Sequence, residues 1–162
     1  MIRRRKPAAP VERVAGGYAI NLADAERDLL ERLLAELSQL LTGDAGVPVL
    51  RRMFPPAYHL DADEEAEAEY QRLMRDDLVA SRLEALTTVS AALREHTVLD
   101  DAGLGALMQS LNALRLALGT LLDVDESHDL DDISPDDPLV GEHHLYGYLS
   151  YLLDAAVTAA GA

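Results

Sequence analysis

Leucines recur at three- to four-residue steps from Leu22 to Leu41. Leu22, Leu29, Leu33, Leu37 and Leu40 form one row, and Leu30, Leu34 and Leu41 widen it. That spacing puts them on one side of a helix, predicted over about 23–42. Asp24 and Glu26 sit near its positive end, and Gly43 is a stop. Tyr70, Leu73, Met74, Leu78, Leu83, Leu86, Val89 and Leu93 make a second row, predicting a long helix over 62–95 with strongly acidic first turns. A third row, Leu104, Leu107, Met108, Leu111, Leu114, Leu118, Leu121 and Leu122, predicts a helix over about 101–122 capped by Asp100 or Asp101. Leu145, Leu149, Leu152, Leu153 and Val157 predict a last helix opened by Pro138 and ending near Ala160. Each row must be buried against another, so the expected fold is mainly α, with four principal helices packed as a bundle-like domain.

Two stretches depart from this period. VERVAGGYAINL sets β-branched and aromatic residues around Gly16-Gly17, which predicts a small N-terminal β-hairpin at about 11–15 and 18–22. In GDAGVPVLRRMFPPAYHL, residues 43–60, Pro48, Pro55 and Pro56 break any helix. This stretch still carries Val47, Val49, Leu50, Met53, Phe54 and Tyr58, so it is expected to be pinned over the core or offered to a partner. Phe54 and Tyr58 are its candidate contacts. Residues 1–10, with Arg3, Arg4, Arg5 and Lys6 before Pro7 and Pro10, read as a basic disordered tail ahead of one helical domain at 11–160.

Composition narrows the function classes. One Phe and no Trp in 162 residues leave the core to aliphatic side chains, which suits helix-on-helix packing. No apolar run approaches the ~18–20 residues of a membrane span. The basic N-terminus lacks the apolar segment of a secretory signal, so the expected location is cytoplasmic. Cysteine is absent, which excludes disulfides, thiolate nucleophiles and Cys-based metal sites. With 14 basic against 29 acidic residues the formal net charge is −15. Such a chain is repelled by nucleic acid and anionic membranes and attracted to basic protein surfaces.

The candidate chemistry is thin. Asp123 to Asp137 holds eight acidic residues, and Asp123, Asp125, Ser127 and Asp129 alternate like the opening of a calcium loop. Yet His128 stands where that loop turns on Gly, and Ser134 where Glu would bind bidentately. The segment therefore reads as a solvated linker or docking surface, with Asp125, Glu126, Asp129, Asp131 and Asp132 as candidate partner contacts. His143 and His144 are adjacent, so on a helix they point about 100° apart and match no zinc spacing. Asn112 and Arg115, three apart beside the third leucine row, are expected to form a structural polar cluster, bonding backbone carbonyls or a carboxylate such as Asp76 or Asp77. An anion or ligand site there is the alternative. An enzyme would need His143, Arg115 and Asp77 around one cleft. No phosphate loop, dinucleotide fingerprint or nucleophile elbow is present, so no catalysis, cofactor or metal is predicted. The stretch HTVLDDAGLGALMQSLNALRLAL could pass for a helix-turn-helix, but Arg115 is the only Lys or Arg it carries, too little for reading DNA.

RRMFPPAYHLDADEEAEAEYQRLMRDDL at 51–78 and LNALRLALGTLL at 111–122 resemble an actinobacterial family of small helical proteins, the AosR-type oxidative stress transcriptional regulators, formerly a domain of unknown function. The resemblance runs over roughly 11–160. It implies regulation by protein contact, notably with an extracytoplasmic-function sigma factor, and genomic association with Clp proteolysis suggests an adaptor as the alternative. Thiol-based sensing does not carry over to a chain without cysteine. The expected function is thus a non-enzymatic regulatory protein whose partner has a basic surface. A homodimer through an exposed leucine row is the further assembly left open.

Overall fold

The computed structural model describes residues 6–43, 64–122 and 133–162. The four leucine rows lie on four helices: α1 (Asp24–Leu41), α2 (Glu64–Glu95), α3 (Asp101–Leu121) and α4 (Val140–Ala160). A hairpin, β1 (Val11–Val14) and β2 (Gly17–Ile20), precedes them. The fold is mainly α, as the periodicity predicts. No helix among the described residues is long and apolar enough to cross a membrane.

The helix ends explain their own positions. At the start of α1 the Glu26 carboxylate accepts from the Ala23 backbone N–H at 2.9 Å, which satisfies a donor that no helical carbonyl can reach. The Asp100 side chain caps α3 by accepting from Gly103 N–H at 2.7 Å. Past the end of α2, His96 takes the left-handed conformation (φ 52°), and Thr97 N–H returns to Ala92 C=O at 3.3 Å. Pro138 stands just ahead of α4 and not inside it; Asp137 Oδ1 accepts from Leu139 N–H at 2.8 Å there.

The core is aliphatic. Leu30, Leu34 and Leu37 of α1 meet Leu86, Val89 and Leu93 of α2, Leu107 and Leu111 of α3, and Leu149 and Leu152 of α4. Two predicted rows need correction. On α4, Val157 is exposed while Ala156 and Ala159 are buried, and this helix packs against β1. On α2 only the second half is core: Leu86, Val89 and Leu93 are buried, but Tyr70, Leu73, Met74 and Leu78 are exposed. The cause is length. The 32 residues of α2 span about 48 Å, whereas the 21 of α3 span about 32 Å, so α2 overhangs the helices it packs on.

The hairpin turn also differs from the predicted Gly-Gly loop. Val14 pairs with Gly17, so the turn residues are Ala15 and Gly16, and Gly17 opens β2. On its other side β2 meets the α2–α3 connection. Tyr18 N–H donates to Leu99 C=O, and Leu99 N–H to Tyr18 C=O, both at 2.8 Å. A Cβ on Gly17 would lie 2.0 Å from the Leu99 carbonyl oxygen, and its φ of 148° is one that side-chain-bearing residues avoid. Glycine is required there by its neighbour across the seam, not by the turn.

Candidate interaction surface

Among the described residues, Arg27 is the charged residue the structure encloses most. It stands three positions before Leu30, in phase with the buried row of α1, so the helix turns it inward. Its guanidinium reaches three elements. Nε donates to Leu22 C=O and Nη1 to Leu93 C=O, each at 3.1 Å, while Nη2 donates to Ile20 C=O. Leu93 lies in the last turn of α2, whose free carbonyls attract a cation. Arg27 thus joins β2, the β2–α1 connection and α2 through backbone carbonyls.

Beside it, Glu26 ties α1 to α4. Tyr148 OH donates to Glu26 Oε1 at 2.8 Å while Oε2 keeps the Ala23 N–H. The Ala23 bond and then the Tyr148 bond hold the Glu26 carboxyl below the usual carboxylate range. Burial first, and the neighbouring carboxylate second, push the Tyr148 hydroxyl well above the ordinary tyrosine value. On the exterior, Arg94 pairs with Glu31 at 3.1 Å; the arginine is largely exposed, so the pair adds little.

The predicted polar cluster resolves differently. Arg115 is half-buried and turned to α4: Nε donates to Ser150 Oγ at 2.9 Å, and the guanidinium lies 5.5 Å from the centre of the Tyr146 ring. Asn112, Asp76 and Asp77 are all exposed, and no ion pair among the described residues joins Arg115 to either carboxylate. A hydroxyl and an aromatic face on the adjacent helix meet the guanidinium where a backbone carbonyl or a carboxylate was expected. His143 is half-buried and His144 exposed on successive positions of α4. Among the described residues no three His, Asp or Glu side chains come together as a metal site. Phe54, Tyr58, Asp125, Glu126, Asp129, Asp131 and Asp132 lie outside the described residues.

Among the described residues, two apolar surfaces face outward. One is the overhang of α2, where Leu73 is 65% exposed and Tyr70, Met74 and Leu78 are exposed in part beside Asp76 and Asp77. The other is an open groove of about 340 Å³ between α1, α3 and α4. Leu33, Leu37 and Leu40 of α1, Leu118 and Leu121 of α3, and Leu145 of α4 line it, and among the described residues Glu36 is the one charged side chain on the lining. The floor is core leucine, while Leu121 at the mouth is 62% exposed.

The family model described as "Domain of unknown function (DUF2017)" matches residues 8–160. The chain belongs to the DUF2017 family. No curated protein and no solved structure matches it. The DUF2017 match runs from just before the hairpin to the end of α4, so the Arg27 seam, the α2 overhang and the groove all lie within the family domain. The features missed in the sequence were Arg27, the Glu26–Tyr148 bond and the groove. Arg27 had a signal: it is a cation in phase with the leucine row. The groove had one as well, because the α1 leucines spread too far around the helix for one partner to cover them all.

Proposed function

We propose that this protein is a non-enzymatic regulator that acts by contacting a protein with a basic surface. The reading extends, through the resemblance to AosR-type regulators, to an extracytoplasmic-function sigma factor in oxidative-stress transcription, with no cysteine switch of its own. The observation that carries it is the α2 overhang. A row of large apolar side chains at helical spacing is exposed there next to Glu65, Glu69, Asp76 and Asp77, all exposed. Exposed apolar rows rimmed by charge mark sites of protein contact. The net charge of −15 favours a basic partner and a salt-sensitive encounter.

The test is capture of purified extracytoplasmic-function sigma factors by the full chain at low and high salt. Binding is expected to weaken with salt and to fall about tenfold or more in Leu73→Glu, whose exposed site leaves folding intact. Failure to bind any such factor, or binding indifferent to both salt and Leu73→Glu, overturns the reading.

A further inference from the structure

The groove between α1, α3 and α4 has walls of leucine, a mouth at Leu121 and, among the described residues, one carboxylate, Glu36, on its lining. Its volume of about 340 Å³ is at the small end of ligand sites, which run from about 300 to 1,000 Å³, and suits a few aliphatic side chains. Three helices forming an apolar trough is the geometry that receives the apolar face of a further helix.

Charge decides which occupant fits. Glu142 lies one turn ahead of Leu145 on the same side of α4. Among the described residues no Lys or Arg lines the groove. An anionic amphiphile such as a fatty acid would place its carboxylate against this field. A helix with basic flanks would gain from it.

We infer that this groove is a docking site for an amphipathic helix of a protein partner, one whose apolar anchors, spaced i, i+3 or i+4 and i+7, are flanked by Lys or Arg. The inference rests on the protein-contact reading for the class of ligand only; its site is separate from the α2 overhang.

The test titrates the full chain with three synthetic helical peptides. One has leucine anchors and Lys flanks, one the same anchors with Glu flanks, and one Lys flanks with the anchors changed to Ser. Only the first is expected to bind. Leu121→Asp should weaken it about tenfold or more, and Glu36→Lys should weaken it while improving the Glu-flanked peptide. Thermal melts confirm that both variants fold. Equal binding of the Lys- and Glu-flanked peptides, binding of the Ser-anchored peptide, or indifference to both substitutions overturns the inference. So does displacement of the first peptide by laurate, or self-association that Leu121→Asp abolishes, since the groove would then belong to a fatty acid or a second copy. Leu73→Glu should leave peptide binding unchanged. If sigma-factor capture fails while peptide binding holds, only the earlier reading falls.

Discussion

At the hairpin end, carbonyls from β2, the β2–α1 connection and α2 all meet the Arg27 guanidinium, and Leu99 pairs reciprocally with Tyr18. At the other end of α1 and α3, leucines of the same helical rows stand open around a groove, with Leu121 exposed. Both ends use helices of the same Leu/Ala composition. Among the described residues, what distinguishes them is whether polar groups and a close backbone approach seal the gap between helix ends. Leucine periodicity makes a helix and chooses its inward face, but it does not close the end of a bundle.

The sharpest way to break this contrast is at Arg27. Arg27→Met keeps an aliphatic stem and removes the donors to three carbonyls, and should cost about 3 kcal/mol in urea unfolding, since bonds to charged groups contribute ~1.5–3 kcal/mol. A cost under about 1 kcal/mol would show that the seam is held by something else. Gly17→Ala comes next. Its methyl would press on the Leu99 carbonyl and should cost about 2 kcal/mol, since strained backbone positions store ~1–3 kcal/mol. Hydrogen exchange checks the cause: the Tyr18 and Leu99 amides should lose protection before those of α3.

Tyr148→Phe tests the join of α1 to α4 and should cost about 1 kcal/mol, for a half-exposed pair at the low end of charge-assisted bonds. Its pH dependence has a definite sign. The Glu26 carboxyl titrates lower in the folded protein than in the unfolded chain, so its contribution is complete above the ordinary carboxylate range. The contribution is lost as pH falls through the lowered value. Removing the Tyr148 bond should therefore shrink the stability lost on acidification without abolishing it, because the Ala23 bond remains. Leu73→Lys on the overhang should have the smallest effect, within about 0.5 kcal/mol of the parent. A large loss there would mean that the overhang is packed in solution.

The sequence was most informative where one local pattern sufficed. Helix positions followed from leucine spacing, and the Asp100 cap from its place before the third row. The hairpin was placed within two residues, but its turn was set one position late, because what Gly17 must avoid is a carbonyl from Leu99, far off in the chain. The α2 row was read as core along its whole length. Only the relative lengths of α2 and α3 reveal that its first half reaches past the helices its second half packs on. Arg115 was expected to bond a backbone carbonyl or a carboxylate, and among the described residues it meets the Ser150 hydroxyl and the face of Tyr146. Each miss concerns which element lies opposite, and that is a property of tertiary packing that spacing along one helix does not contain.

The seam at Leu99 also bears on the order of events in folding. Helices form from neighbours in sequence, whereas Arg27 and Leu93 are separated by 66 residues, and joining distant segments carries a loop-closure cost. Docking of the hairpin is thus the step most naturally left until the helices have collapsed. Interactions made after the transition state govern escape from the native state more than entry into it. In stopped-flow chevrons, Gly17→Ala should steepen the loss of native protein by raising the unfolding rate while leaving the refolding rate close to that of the parent.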